Sequence, residues 1–352
     1  MVSPLVLVIC RGSGPGDSDK VLKYMGKLRV GVIGVGNLGQ HHARILAGMK
    51  GEVELVGVAD TDEVRAREVA KKNGTEAYTD YHALLEKIQA VSVVVPTQLH
   101  HLVGRACLQR GVHILMEKPI TSTLEQADDL LKLARENRVI MQVGHIERFN
   151  PAIRAVQKMN PRPMYIDVER LGPFPPRMSD TSVVFDLMIH DIDIVMLFKG
   201  EMPVRVDAVG SPVFTDVEDI ASARLEFADG CVAQLAASRI TRARKRMITI
   251  YCEKSAIVAD YMKQNVVSFR LGGGTPAMKG DQMRRIRMER ASMQKDEPLK
   301  LEIQSFIKCV NSGGEPEVSG EKARAALAIA EKVVQDIRSR LKRFRSGAPR
   351  GA

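Results

Sequence analysis

One short segment restricts the fold of this chain more than any other: Gly34-Val35-Gly36-Asn37-Leu38-Gly39. It stands between an apolar, β-branched run, Leu28 to Ile33, and a stretch with helical spacing, Leu38 to Met49. A strand, a turn with three spaced glycines and a helix make the opening of a parallel βαβ unit that cradles a dinucleotide. Gly34 allows the tight turn, Gly36 lets the backbone approach a pyrophosphate, and Gly39 lets the helix pack close to the strand. Asn37 and Leu38 start the helix whose free N–H groups meet the phosphates. The next strand-like run, Val53 to Ala59, is followed by Asp60, about 20 residues past the last glycine as the motif requires. A carboxylate there accepts hydrogen bonds from both adenosine ribose hydroxyls and repels a 2′-phosphate. The cofactor expected is therefore NAD, with NADP disfavoured.

The same alternation continues. Glu63 to Asn73, Tyr81 to Ile88, Leu99 to Arg110 and Thr123 to Asn137 read as helices. Ala90 to Val95, Val112 to Met116 and Val139 to Val143 read as strands. Repeated β-α units with short connections imply a Rossmann-type, doubly wound parallel sheet over residues 25–145. Beyond it the pattern changes. Met164 to Leu171, Val204 to Phe214, Ile220 to Phe227, Cys231 to Ser238, Met247 to Cys252, Ala256 to Tyr261 and Val266 to Arg270 are strand-like, several joined by short turns such as Ala228-Asp229-Gly230. This predicts a second, α+β domain over residues 146–345 with an open, largely antiparallel mixed sheet. Residues 272–297 read as a polar loop. Leu299 to Asn311 and Gly320 to Leu341 read as helices, the last able to pack back on the first domain. The fold class is α/β followed by α+β.

Ligands on open parallel sheets bind beyond the carboxyl ends of the strands. Two segments fall there: Pro96-Thr97-Gln98-Leu99-His100 and Glu117-Lys118-Pro119. Pro96, Thr97, His100, Glu117 and Lys118 are thereby aimed at the nicotinamide end, and a cis peptide before Pro119 would fix the angle of Lys118. For His100 a structural place at a helix start is an equal alternative. In the second half, Asp186 and His190 are spaced i, i+4 and Asp193 follows at i+3, so all three share a helix face. Oxidising an alcohol requires loss of a hydride and of a hydroxyl proton. An imidazole suits the proton step, a nearby carboxylate can orient it and support its charged form, and an ammonium can steady the reacting oxygen. No further ligand cluster accompanies His190, which argues against a metal site.

Glu117-Lys118-Pro119 and Asp186-Leu187-Met188-Ile189-His190-Asp191-Ile192-Asp193 together resemble two ordered motifs of the glucose–fructose oxidoreductase and inositol dehydrogenase (Gfo/Idh/MocA) family, and the likeness extends over roughly residues 27–340. The resemblance implies an oxidoreductase in which Lys118 polarises the substrate, His190 transfers the proton and Asp186 contacts substrate or orients the base. Met188 stands where many members have glycine, near the substrate. Gly144 to Pro151, Asp186 to Asp193 and Ala237-Ser238-Arg239 are most similar to members that act on UDP-N-acetylglucosamine, which implies a nucleotide sugar oxidised at C3. A diphosphate needs cations. Arg148, Arg239 and the Arg242 to Arg246 cluster are the candidates, with Asp193 as a further substrate contact. A free sugar or cyclitol, and a non-catalytic dinucleotide-binding sensor, stay open as alternatives.

Bulk properties narrow the partners. The charge is +10 and aromatic residues make up 4%. The basic runs have no interleaved aromatic residues, so nucleic acid is not expected. Five scattered cysteines without a CxxC point to a reducing cytoplasm. The run Pro4 to Cys10 is too short to span a bilayer and lacks a basic leader, so no membrane or secretory segment is expected. Residues 1–24 read as a disordered extension. The Val- and Ala-rich face of the second sheet is expected to join subunits as a homodimer or homotetramer.

Overall fold

The computed structural model describes residues 26–174, 180–271 and 286–347. The expectations for residues 1–24, for the end of the basic tail and for much of the 272–297 stretch lie outside the described residues.

The first half forms β1 (Leu28–Ile33), α1 (Gly39–Gly48), β2 (Val53–Ala59), α2 (Glu63–Asn73), β3 (Glu76–Tyr78), α3 (Tyr81–Leu85), β4 (Ala90–Val93), α4 (Thr97–Gln109), β5 (His113–Glu117), α5 (Leu124–Glu136) and β6 (Met141–Gly144). Its six strands are parallel in the order β3-β2-β1-β4-β5-β6. The order reverses between β1 and β4, which opens a crevice at their carboxyl ends. β4 is buried along its whole length, as a continuous apolar run covered on both faces must be. Local signals set the helix ends: Asp62 caps α2 by accepting from the Arg65 amide, and Gly74 closes it at φ 66.

The second half contains α6 (Pro151–Lys158), β7 (Tyr165–Leu171), α7 (Ile189–Lys199), β8 (Arg205–Ser211), β9 (Ile220–Glu226), β10 (Val232–Ser238), β11 (Lys245–Cys252), β12 (Ser255–Asp260), β13 (Asn265–Leu271), β14 (Ile286–Arg290), α8 (Pro298–Ser312) and α9 (Gly320–Gly347). Eight strands run β14-β13-β12-β11-β7-β10-β9-β8. β7 and β10 pair in parallel and the other neighbours antiparallel. Alternation decides the faces. Ile166 and Val168 of β7 and Ile248 and Ile250 of β11 are buried in one core with Ile189, Ile192 and Val195 of α7, whereas Tyr165 and Tyr251 stack on the open face.

The last two helices tie the halves together. Leu299, Ile303, Phe306 and Ile307 of α8 pack into the core around α1 and β1. Ala323 and Leu327 of α9 belong to the core of the first sheet, and Ile329, Val333 and Ile337 to that of the second. Two elements differ from expectation. β3, only three residues long, is not among the strands expected from the sequence. β14 falls within the stretch read as a loop; its five residues are all exposed, and pairing with β13 at the sheet edge, not burial, makes it a strand.

Candidate active site

The glycine turn shows a division of labour. Gly34 has φ 85, and a Cβ there would lie 2.3 Å from the Val94 carbonyl oxygen. A Cβ on Gly39 would lie 1.9 Å from the Gly34 oxygen. Both are fixed by the protein's own packing. A Cβ on Gly36 would meet nothing nearer than an Arg65 nitrogen at 3.9 Å. The absence of a side chain at Gly36 therefore serves something outside the chain, and the bare backbone there, with Asn37 and Leu38 beside it, fits a pyrophosphate. Asp60 accepts from the Val35 amide through Oδ2 at 2.9 Å and from the Asp62 amide through Oδ1 at 2.9 Å. Its carboxylate is thus aimed before any ribose arrives, with lone pairs remaining for hydroxyl donors. Pro96 and Thr97 lead into α4 at the end of β4, facing the same crevice.

Lys118 follows β5 directly, and the Lys118–Pro119 peptide is cis. Its ammonium donates to the Asp186 carbonyl oxygen at 2.6 Å and lies 3.3 Å from Asp186 Oδ1. Asp186 sits in a π-helical turn, Val184 to Met188, that opens into α7 one residue before His190; such irregular turns recur at functional sites. The Lys118 charge also acts on His190. Burial first, then Lys118, Arg170, His145 and Arg246, hold the imidazole well below its usual range, so it is neutral at pH 7. His190 Nδ1 is buried without a hydrogen-bond partner, while Nε2 is not among the sealed atoms. Of the two ring nitrogens, Nε2 is the one open to a partner from outside the chain.

Several expectations are corrected at this point. Asp186 and Asp193 do not support a charged His190: Asp186 turns to Lys118, and burial, then Lys118 and Arg170, dominate the surroundings of the imidazole. The π turn changes the angular spacing, so i, i+4 residues no longer stack. Asp193 is 1% exposed and binds Arg148, itself 5% exposed, through two bonds of 2.7 Å. Arg239 is 2% exposed and donates to Asp219, Thr181 O and Thr215 Oγ1. All three side chains are engaged in buried ion pairs within the chain. His100 is buried as well: Nδ1 meets the Pro119 carbonyl at 2.8 Å and Nε2 the Val95 carbonyl at 2.9 Å. It clasps the loops after β4 and β5 together.

Three further residues join the site, and of these only Arg246 lies in a cluster singled out from the sequence. Arg170 at the end of β7 is buried between Asp191 and Glu147. Beside it in register, on the face that carries α7, is Arg246. Its side chain is 45% exposed, and its nearest carboxylate, Glu147 at 3.8 Å, is already held by Arg170 at 2.9 Å. Burial and the Arg170 charge lower its affinity for its own proton, so an anion arriving at the cleft would find this cation undercompensated. His42 is fully buried with Nδ1 at 2.6 Å from Ser92 Oγ and Nε2 at 3.3 Å from Glu117. Only the three-dimensional pairing of α1 with β4 and β5 reveals it.

A dinucleotide cradle at the switch point of a parallel sheet, with an ammonium and a neutral imidazole at its mouth, defines an NAD-dependent oxidoreductase. Comparison with known proteins agrees. Residues 28–145 match the model described as "Oxidoreductase family, NAD-binding Rossmann fold" and residues 162–258 that of the "GFO/IDH/MocA C-terminal domain". The chain belongs to this Gfo/Idh/MocA oxidoreductase family. It is 37% identical over 318 residues to UDP-N-acetylglucosamine 3-dehydrogenase of Acidithiobacillus ferrooxidans, covering 90% of this chain and 99% of that protein. It is 30% identical over 335 residues to myo-inositol 2-dehydrogenase of Thermotoga maritima, covering 89% and 98%. The solved structure of the Acidithiobacillus enzyme superposes with a TM-score of 0.83 at 36% identity, covering 90% of this chain and 99% of that one. Among the described residues no helix is long and apolar enough to cross a membrane.

Proposed function

We propose that the chain oxidises a secondary hydroxyl of a nucleotide sugar, UDP-N-acetylglucosamine at C3, with Lys118, His190 and Asp186 as its catalytic residues. The observation that carries this reading is the contact of the Lys118 ammonium with Asp186, which brings the nucleotide half against the segment bearing His190. When bound, NAD supplies the hydride acceptor. Lys118 donates a hydrogen bond to the substrate oxygen and steadies the negative charge that grows on it. His190, neutral and with Nε2 accessible, takes the hydroxyl proton as the carbonyl forms. Asp186 aims Lys118, and its half-exposed carboxylate can accept from a sugar hydroxyl.

The nucleotide-sugar class rests on the Acidithiobacillus relative and on Arg246. With Arg148 and Arg239 committed inside the protein, Arg246 is the cation suited to a diphosphate near the imidazole. The open face of the second sheet, with stacked Tyr165 and Tyr251, serves on this reading to pair copies of the chain; sedimentation analysis would give the subunit number. Incubating the purified protein with NAD and UDP-N-acetylglucosamine should release NADH, and Arg246→Ala should raise KM for that substrate by about tenfold, the value of one charge-assisted contact. No NADH with the UDP-sugar but rapid turnover of myo-inositol would replace this substrate with a cyclitol.

A further inference from the structure

α1 starts at the glycine turn that cradles the dinucleotide, and Lys118 stands at the mouth of the same crevice. One buried side chain joins the two. His42 lies in the first turn of α1, close behind Gly39, and is fully buried. Its ring spans two neighbouring strands: Nδ1 is 2.6 Å from Ser92 Oγ of β4, and Nε2 is 3.3 Å from Glu117 Oε1 at the end of β5. A carboxylate only accepts, so Nε2 presents its hydrogen to Glu117. The Ser92 contact on the opposite nitrogen fixes the plane of the ring.

Glu117 uses its second oxygen differently. Oε2 accepts from the Lys118 backbone amide at 3.2 Å. The carboxylate therefore holds the His42 ring with one oxygen and the peptide that begins Lys118 with the other. Gly144, its partner across β5 and β6, leaves room for this, because a Cβ there would stand 3.0 Å from Oε1. Burial would raise the Glu117 carboxyl, but His42 and then Lys118 outweigh it and hold it below the usual carboxylate range. From the same peptide the Lys118 side chain runs on to the Asp186 carbonyl oxygen at 2.6 Å. Packing alone does not call for an imidazole at this place. Ala43, Ile45 and Leu46 already seat α1 in its core, and an apolar side chain would fill the space without the cost of burying polar atoms.

We propose that His42 is a positioning residue: it holds Glu117, and through Glu117 the Lys118 peptide, in register with the helix that carries the dinucleotide, so that ammonium and cofactor keep one fixed spacing. Lys118 remains the group that touches substrate. This rests on the dehydrogenase reading, but its first test needs no turnover.

Crystal structures of the parent and of His42→Leu, both with NADH, should differ at Lys118. Glu117 should leave the Lys118 amide, and the contact of the ammonium with the Asp186 carbonyl, 2.6 Å in the parent, should lengthen or break. Both contacts unchanged in the variant overturn the proposal whatever the substrate is. In turnover with the sugar that the parent oxidises, His42→Leu should lower kcat on the order of 10–100-fold, the scale of an ångström misplacement of a catalytic group, with NADH affinity unchanged. His42→Gln, which returns an N–H toward Glu117, should recover most of that loss. His42→Leu combined with Glu117→Gln should lose no more than the poorer single variant, because both act along one path. Losses that multiply in the double variant, equal losses in the Leu and Gln variants, or a Leu variant that melts earlier but keeps the parental kcat would refute a positioning role. Should His42→Leu fail to fold, Ser92→Ala, which frees the ring, should lower kcat in the same direction, and a parental kcat there refutes the proposal. A parent that oxidises no sugar sinks the dehydrogenase reading and leaves the crystallographic comparison to decide on His42.

Discussion

Replacing Arg148 by alanine separates a strut from a substrate contact. The guanidinium reaches Asp193 through Nε and Nη2, both at 2.7 Å, and the two side chains are 6% and 1% exposed. Without it the Asp193 carboxylate keeps, among the described residues, His145 Nδ1 at 4.0 Å. That imidazole is held below its usual range by burial and cannot supply a compensating charge at neutral pH. An unpaired buried carboxylate costs about 3–5 kcal/mol. Urea unfolding of Arg148→Ala should show a loss of that size, while the folded fraction keeps the parental KM for the sugar. Replacing both partners, Arg148→Met with Asp193→Leu, should recover most of the loss, because apolar volume in place of a buried ion pair is close to neutral. A single mutant that loses less than about 1 kcal/mol while its KM rises sharply would show that the guanidinium belongs to the substrate and would refute the strut.

Three further outcomes follow from the site. Lys118→Met should reduce kcat by about 10²–10³-fold, the value of one preorganised donor to a developing oxyanion, with NADH binding retained in fluorescence titration. Gly36→Ala should leave the unfolding midpoint unchanged and weaken NAD binding, whereas Gly39→Ala, whose Cβ would collide with the Gly34 oxygen, should destabilise the fold by about 1–3 kcal/mol or more; thermal melts and NAD titrations on both variants check the contrast. Because burial and surrounding cations lower the His190 pKa, the base form persists below pH 6.5, and the acid limb of kcat/KM should lie under the ordinary histidine range and vanish in His190→Gln. The same shift bears on stability: the unfolded chain takes up the proton first as pH falls through 6.5, so this residue withdraws stability on acidification.

How far the residues announced this arrangement depends on the distance over which the information acts. The nucleotide half was legible because its signals are local: an apolar run such as Ala90 to Val93, a glycine turn between strand and helix, caps at Asp62 and Gly74. The alternating strands around β7 were legible for the same reason. Lys118 and Asp186 were recognisable as ends of ordered segments, although not their mutual contact. The cations misled. A sequence displays Arg148 and Arg239 but not their pairing with Asp193 and Asp219, which neutralise them from distant positions. His42 left no usable trace, since its partners Ser92 and Glu117 come from other strands.

The terminal helix α9 carries a consequence for cooperativity. Its early turns fill the interior of the parallel sheet and its later turns that of the mixed sheet, and Arg324 with Asp128 fastens it to α5. Neither interior is complete without the same rod. The two halves are therefore expected to melt in a single calorimetric transition, and a chain cut before Gly320 loses packing from the interiors of both sheets.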